Sequence, residues 1–428
     1  MQEEMQPELT VINNISKPAE KLDYLPGLDG IRALAAFLVI FTHWPNNGIS
    51  LKFGWIGVNI FFVLSGFLIT RILVHEKQNG FKPYISKFFL NRVLRIFPIY
   101  YLFFCITALI ILALYAFVPQ LSDNDILLSG VNTLKHDTPV YLTYSYNIKI
   151  NLAYFFHWHD NQNQFFGHLW SLAVEEQFYL IFPFIVYFLN VQSLKKLVIA
   201  IIIICPLIRL WAAIIGVHLV TDRFWLGETI YSNTFCQADA LATGALLALF
   251  PIKIRFPYRN FLIVTFICLL VGLTCFFFLR RAGYFLVEGK SLGFNYPGFW
   301  FDQKTPWFLI NIRAFYQYAL VNLFAVVLIA PATIKKPLFP AIFNAKPISY
   351  LGKISYGIYL FHNPIIGFFM VAGTFFGGWY KLTASPLVNL GVFIFYLIIV
   401  ISLAHVSYQY FERKILSKYK YKLDNARN

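Results

Sequence analysis

The stretch Leu28-Asp-Gly-Ile-Arg-Ala-Leu-Ala-Ala-Phe-Leu-Val-Ile-Phe-Thr-His43 forms the first apolar segment of the chain and carries an arginine and a histidine. Arg32 and His43 are eleven residues apart, which on an α-helix is three turns plus about 20°. Both side chains therefore lie on one helix face, roughly 16 Å apart along the axis. Polar residues in a membrane span indicate a functional site. The structural alternative is an interfacial arginine and a histidine that bonds a neighbouring helix.

The composition predicts an integral membrane protein. Hydrophobic residues make up 58% of the 428 positions and charged residues 13%, which is about half the charged fraction of a soluble domain. Ten stretches are long and apolar enough to cross a bilayer, which predicts an all-α polytopic fold. The predicted spans are 28–46, 54–74, 96–118, 168–190, 197–217, 233–250, 259–279, 308–331, 350–376 and 387–411.

The lysines and arginines predict the orientation. With cytoplasmic N- and C-termini, the inner segments and outer loops hold 24 and 9 of the 35 basic residues, as the positive-inside rule requires. The net charge of +15 is then a topology signal and an attraction to anionic lipid, and nucleic acid is not an expected partner. The predicted parts are a polar tail (1–26), a transmembrane domain (27–411) with an outer connection (119–167), and a basic tail (412–428).

Three local features of the sequence concern a signal peptide, disulfide bonds and a metal site. The N-terminal tail lacks a basic region followed by an apolar core and a cleavage site, so we expect no signal peptide. The five cysteines lie in or at the ends of apolar spans without paired spacing, which is typical of small core residues. His157, His159 and Asp160 form a short cluster, but His-x-His without further ligands does not predict a metal site.

Charged side chains inside the predicted spans must face one another or a water-filled cavity, because lipid exposure is costly. They are Arg32, Glu175, Glu176, Arg209, Asp239 and Arg313. His168 and Glu175 are seven residues apart and share a helix face, which the predicted topology brings to the outer half of the membrane with His43. A histidine beside a carboxylate can take a proton from a hydroxyl. The alternative is that the acidic residues only form ion pairs with Arg209 or Arg313.

Two further patterns indicate binding surfaces. Arg92 and Arg95, at i and i+3 near the inner surface, point the same way and suit a phosphorylated cofactor, because guanidinium groups bind phosphate in bidentate fashion. Ordinary positive-inside anchoring is the alternative. Ser355, Tyr359 and His362 form a polar stripe in an apolar segment, which fits either a pore lining or hydrogen bonds between helices.

Six motifs in order resemble the acyltransferase-3 family of membrane acyltransferases, over about Leu25 to Glu412. They are Leu25-Pro-Gly-Leu-Asp-Gly-Ile-Arg-Ala-Leu-Ala-Ala, the Arg32 to His43 spacing, Gly57-Val-Asn-Ile-Phe-Phe-Val-Leu-Ser-Gly-Phe-Leu-Ile69, Arg92-Val-Leu-Arg-Ile-Phe-Pro98, Trp170-Ser-Leu-Ala-Val-Glu-Glu-Gln-Phe-Tyr179 and Ile354-Ser-Tyr-Gly-Ile-Tyr-Leu-Phe-His362. The resemblance implies ten transmembrane helices in a bacterial cytoplasmic membrane. It also implies transfer of an acyl group, usually acetyl, from cytoplasmic acyl-CoA to a hydroxyl of a surface glycan, such as lipopolysaccharide or exopolysaccharide, or its lipid-linked precursor.

The resemblance also implies residue roles. Arg32 matches a cytoplasmic-side arginine of the family and His43 its essential histidine, while Arg92 and Arg95 match a pair attributed to coenzyme A binding. The Glu175-Glu176 run matches an acidic motif near the histidine. Some members carry an appended extracytoplasmic hydrolase-like domain, which we expect to be absent because 17 residues follow the last predicted span.

These observations combine into one hypothesis. Acyl-CoA places its phosphates on Arg92, Arg95 and Arg32. His43, supported by Glu175 or Glu176, deprotonates the acceptor hydroxyl, which then attacks the thioester. In the alternative route the acyl group first forms an acyl-imidazole on His43, and the hydroxyl attacks that intermediate. The residues expected near the acceptor or behind these groups are His168, Trp170, Asp239, Tyr359 and His362. A transporter or flippase for a glycan or acidic substrate is the rival interpretation, against which the chain shows no repeated halves.

Overall fold

The computed structural model describes residues 22, 24–25, 27–45, 49–50, 54–155, 163–219, 223–250, 286–287, 290–291, 307–333 and 341–418. These residues are almost entirely helical, which confirms the predicted helical fold. The exception is an antiparallel pair of two-residue strands, β1 (Leu286–Val287) and β2 (Lys290–Ser291), in which Leu286 pairs with Ser291.

Sixteen α-helices lie in the described residues. In chain order they are α1 Gly27–His43, α2 Ile56–Glu76, α3 Phe81–Phe117, α4 Asp125–His136, α5 Thr138–Leu142, α6 Tyr146–Phe155, α7 Trp170–Phe188, α8 Val191–Leu219, α9 Arg223–Ser232, α10 Thr234–Leu249, α11 Trp307–Thr333, α12 Ala341–Asn344, α13 Lys346–Lys353, α14 Ser355–Gly373, α15 Trp379–Leu382 and α16 Pro386–Ser407. A π-helical turn, Tyr408–Glu412, continues α16.

Six helical stretches of the described chain are long and apolar enough to cross a membrane. They are Ile56–Asn79, Phe81–Phe117, Gly167–Phe188, Val191–Gly216, Ser355–Phe376 and Pro386–Lys418. Two apolar stretches are shorter, Thr234–Leu249 and Gln317–Ala332, and α1 has 17 residues. The predicted span 259–279 lies outside the described residues. The protein is thus a multi-pass membrane protein, and the count of ten and the sidedness of the termini stay predictions.

Helix boundaries differ from the hydropathy prediction in two places. Helix α3 begins at Phe81 and runs for 37 residues, whereas the predicted span begins at residue 96. The hydropathy criterion missed the first four turns because they contain several basic residues, although these turns are helical. The predicted span 350–376 is two helices, α13 and α14, which meet at Ile354. The predicted outer connection 119–167 contains α4, α5 and α6, and α4 is capped by the Asn124 side chain, which accepts a hydrogen bond from the Leu127 N–H.

Close helix packing fixes the bundle. A methyl group added at Gly66 of α2 would overlap the Leu241 backbone of α10, and one at Gly244 of α10 would overlap the Val63 carbonyl. Glycines at both contacts therefore let these two helices approach backbone to backbone. A similar contact brings Gly352 of α13 onto the Asp29 backbone of α1. These contacts hold α1 and α2 at set rotations beside α3, α7 and α14.

Candidate active site

A cavity lies between α1, α2, α3, α7 and α14. It holds about 740 Å³ of space, including its open mouth. Its walls combine apolar side chains with a row of polar ones, which are Arg32, Ser65, Arg92, Arg95, Ser171, Glu175, Tyr179, Ser355, Tyr356 and Tyr359. The structure therefore brings together the three predicted cofactor-binding arginines, one predicted catalytic glutamate and Tyr359 around one space.

The arginines lie at one end of this cavity. Arg32 comes from the first turns of α1, whereas Arg92 and Arg95 lie on α3, and the three guanidinium groups are close enough to repel one another. Arg92 stacks over the Tyr179 ring at 5.1 Å and the Phe88 ring at 5.8 Å. Three mutually repelling cations at the wall of one cavity favour binding of an anion with several charges, such as a phosphorylated ligand.

Asp29 holds Arg32 in place at this end. Its carboxylate lies 3.2 Å from Arg32 Nη1 and also accepts a hydrogen bond from the Tyr24 hydroxyl, just before α1. Partial burial and the Asp29 carboxylate raise the pKa of Tyr24 to about 12. The phenol therefore keeps its proton at physiological pH and continues to donate to Asp29.

Glu175 lies in the middle of the cavity wall, next to the arginines. Its carboxylate accepts hydrogen bonds from Ser65 Oγ at 2.7 Å and the Tyr179 hydroxyl at 3.2 Å. Arg32 and Arg92 also act on it electrostatically. Among the described residues, neither Glu175 nor Glu176 bonds His43, so the predicted His43–glutamate pairing is not present in this structure. The reason is depth: Glu175 lies about one and a half turns into α7, whereas His43 ends α1.

Glu176 lies apart from Glu175, although the two are adjacent in sequence. It is absent from the cavity wall described above, and its electrostatic neighbours include a group of buried or half-buried tyrosines on α3, after α5 and on α14, namely Tyr100, Tyr101, Tyr144 and Tyr356. Consecutive helical residues point about 100° apart. Glu175 therefore lines the cavity, whereas Glu176 lies among these tyrosines, of which Tyr356 is also part of the cavity wall.

Three histidines form a cluster beyond the other end of the cavity. The His43 and His362 rings lie 5.0 Å apart and the His362 and His168 rings 4.9 Å apart, centroid to centroid, both edge to face. Tyr359 connects this histidine cluster to the cavity, because it lines the cavity and its ring lies 5.3 Å from His362 and 5.5 Å from His168. Its hydroxyl bonds Ser171 Oγ and the His168 carbonyl.

The hydrogen bonds of His43 determine which ring nitrogen is available for chemistry. His43 Nδ1 lies 2.9 Å from the Val39 carbonyl oxygen one turn earlier in α1. A carbonyl only accepts, so Nδ1 carries the proton and Nε2 keeps its lone pair. A neutral imidazole with a free Nε2 can act as a general base or a nucleophile.

Two further predicted residues, Trp170 and Asp239, are not part of the cavity wall. Trp170 packs against Tyr231 at 4.6 Å and Phe62 at 6.2 Å between ring centroids, within an apolar cluster. Asp239 forms a two-pronged ion pair with Arg209, at 2.9 and 2.7 Å, and both side chains are buried between α8 and α10. The alternative interpretation of Asp239 as a buried partner of Arg209 describes the observed contact, and a role of Asp239 behind the acceptor site stays a prediction.

Some side chains named in the sequence analysis fall outside the described part of the chain. The Arg313 side chain, His157, His159 and Asp160 lie outside the described residues. Within the part of the chain that the structure describes, no group of three His, Cys, Asp or Glu side chains is placed to hold a metal ion. Sequence reasoning missed Ser65, Ser171, Tyr179 and Tyr356 as cavity residues. A usable signal existed for Tyr179, which lies four residues after Glu175 and so shares its helix face.

The fold and the site define a class: a polytopic membrane protein with an arginine-lined cavity and, packed against the cavity residue Tyr359, a cluster of three histidines. A family model described as an acyltransferase domain matches residues 25–407. The chain therefore belongs to the acyltransferase-3 family.

Relatives of known name cover the same region. The chain is 30% identical over 404 residues to the O-acetyltransferase OatA of Staphylococcus aureus, which covers 92% of this chain and 58% of the relative. It is 32% identical over 361 residues to the peptidoglycan O-acetyltransferase OatA of Listeria monocytogenes, covering 80% of this chain and 49% of the relative. The chain thus spans about half the length of these relatives. No solved structure matches it.

Proposed function

We propose that this protein is an O-acetyltransferase of a bacterial cytoplasmic membrane. It takes an acetyl group from cytoplasmic acetyl-CoA and transfers it to a glycan hydroxyl on the outer side. The observation that carries the proposal is a cavity with three arginines in its wall, whose wall residue Tyr359 also packs against two rings of the histidine cluster. Family membership and the names of the relatives support the reaction type.

The donor fits the arginine end of the cavity. Arg32, Arg92 and Arg95 would hold the phosphates of coenzyme A, each through charge-assisted hydrogen bonds. The pantetheine arm would lie along α1, where Arg32 and His43 are roughly 16 Å apart along the helix axis. Glu175, bonded to Ser65, would keep the Arg92 side of the wall in position. The acetyl thioester then reaches the histidine cluster.

The chemistry follows from the free nitrogen of His43. Nε2 removes the proton of the acceptor hydroxyl, and the oxygen forms a bond to the thioester carbonyl carbon. The carbon–sulfur bond then breaks, and the thiolate of coenzyme A takes up the proton that His43 had received. The products are a glycan O-acetyl ester and free coenzyme A, so atoms and protons balance. An acyl-imidazole on Nε2 is the covalent alternative that uses the same atoms.

The name of one relative supports a proposal for the acceptor class. The relative from Listeria monocytogenes is named a peptidoglycan O-acetyltransferase, and we therefore propose a peptidoglycan hydroxyl as the acceptor. Lipopolysaccharide and exopolysaccharide, the acceptors expected from the family resemblance, become the comparison substrates.

The test uses the purified protein in sealed vesicles. Radiolabelled acetyl-CoA is supplied on the side of Arg92, and a muramic acid-containing glycan fragment on the side of His43. We expect label in the glycan that mild alkali releases as acetate, since esters hydrolyse under conditions that spare amides. A fragment with its hydroxyls methylated is the matched control. Movement of glycan across the vesicle without acetyl-CoA consumption would refute the proposal and favour a transporter.

A further inference from the structure

The three rings of the histidine cluster are each fixed in one tautomer by a backbone carbonyl. His362 Nδ1 lies 2.5 Å from the Tyr359 carbonyl oxygen, and His168 Nε2 lies 3.2 Å from the Leu360 carbonyl oxygen. His43 Nδ1 bonds the Val39 carbonyl. Since a carbonyl only accepts, each of these nitrogens carries a proton. The opposite nitrogen of each neutral ring is therefore unprotonated and can accept a hydrogen bond or a proton.

Two of these lone pairs are buried without a hydrogen-bond donor. His362 Nε2 and His168 Nδ1 have no partner among the described residues and are shielded from solvent. Leaving an acceptor unpaired in a buried site costs free energy. Carbonyl groups of one helix, α14, fix both rings and leave their other nitrogens unprotonated. We interpret these two nitrogens as sites that bind a proton transiently.

Among the described residues, the surroundings of His362 contain no fixed charge that would hold such a proton permanently. The titratable groups described around its ring are His43 from α1, His168 before α7 and Tyr359 on its own helix. From α16, the Tyr396 hydroxyl donates to the His362 carbonyl at 3.2 Å. Carboxylates do not contribute to the electrostatics of His362 among the described groups. Among the described groups, neutral imidazoles and phenols alone therefore surround the ring.

We propose that His362 and His168 form a proton relay for His43, an inference that rests on the proposed function. His43 Nε2 receives the hydroxyl proton and passes it to the empty His362 Nε2, with a ring rotation or a bridging water closing the gap between rings whose centroids lie 5.0 Å apart. His362, now an imidazolium, shares the proton in the same way with His168 Nδ1, whose ring centroid lies 4.9 Å from its own. His43 Nε2 thereby regains its lone pair while the tetrahedral intermediate collapses. The proton returns along the same path to the thiolate of coenzyme A, so the cluster is neutral again after each turnover.

His362 acts through His43 and is a positioning residue. Glutamine at position 362 fills similar space and can hydrogen-bond, but it cannot take up a proton. We expect His362→Gln to lower kcat roughly 10- to 100-fold, less than the upper range for loss of a general base itself. The KM for acetyl-CoA should stay unchanged, because His362 does not touch the arginine end of the cavity. His405→Gln, the same substitution at an exposed histidine that bonds Tyr350, is the matched control.

Chemical rescue separates a relay from packing. In His362→Ala, added imidazole, 4-methylimidazole and pyrazole have similar sizes but different basicities. We expect recovery of kcat to follow basicity, with pyrazole ineffective. Equal rescue by all three would show that only volume is needed and would overturn the relay. An unchanged kcat in His362→Gln would also refute the relay. Acetyl transfer by the wild-type protein would still support the proposed function in that case.

A second measurement does not depend on activity. In protein labelled with ¹⁵N-histidine, resonances of the cluster are assigned from their loss in single His→Gln variants. We expect the His43, His362 and His168 signals to respond together to uptake of one proton, and His168 to lose this coupling to His43 in His362→Gln. Independent titration of the three rings would refute the relay. Coupled titration in a protein without acetyl transfer would support the relay and refute the proposed function.

Discussion

Replacing Arg92 with glutamine removes one guanidinium from the cavity wall and leaves the rest of α3 intact. Arg92 is half-buried, and its charge lies over the rings of Tyr179 and Phe88. Water therefore screens this charge less than it screens the neighbouring Arg95, which is exposed. Arg92 is thus the arginine whose contact with an anionic ligand should contribute most.

The expected loss of coenzyme A affinity depends on the strength of each contact and on the exposure of each arginine. A charge-assisted hydrogen bond to phosphate is worth about 1.5–3 kcal/mol, so Arg92→Gln should weaken coenzyme A binding about 10- to 150-fold. Arg95→Gln should lie at or below about 10-fold because solvent screens it. Arg92→Lys keeps the charge but not the planar fork, and we expect an intermediate loss.

Calorimetric titration of coenzyme A into protein in lipid nanodiscs measures these losses. Dephospho-coenzyme A, which lacks the 3′-phosphate, completes a double cycle that shows which phosphate Arg92 contacts. Lys82→Gln is the matched control, since Lys82 is exposed, lies ten residues earlier on α3 and does not line the cavity. Thermal unfolding of each variant excludes loss of fold. Equal small losses in all the glutamine variants would mean that the arginines are positive-inside anchors.

Three further outcomes are expected. His43→Ala should abolish acetyl transfer while coenzyme A binding stays intact, and substantial residual turnover would remove His43 from the chemistry. Asp239→Asn leaves the buried Arg209 cation without its carboxylate partner and should lower the free energy of unfolding by about 3–5 kcal/mol in a denaturation assay. The double variant Asp239→Asn with Arg209→Met should recover much of this stability. A double variant as unstable as Asp239→Asn would argue against a purely structural pair. In a cysteine-free background, an impermeant thiol reagent should label Ser86→Cys only from the cytoplasm and Ser122→Cys only from outside, and the reverse pattern would invert the topology.

Local properties of the chain were readable from the sequence. The hydrophobicity of a segment is the sum over its own side chains and does not depend on tertiary contacts. The membrane class and the helical fold therefore followed from composition and segment length. The helix period put Arg32 and His43 on one face and paired Arg92 with Arg95, because these relations depend on spacing within one helix. The basic first half of α3 escaped the prediction, since a hydropathy criterion measures polarity and not helicity.

Relations between helices were decided only by the tertiary structure. His43, His168 and His362 come from three separate segments, and no spacing rule relates their depths. Glu175 was expected beside His43, yet its depth on α7 places it with Ser65 and the arginines. Which side chains meet depends on helix rotation and depth, and close contacts such as Gly66 on the Leu241 backbone set both. The sequence supplies the chemical groups, and long-range packing determines which of them share a site.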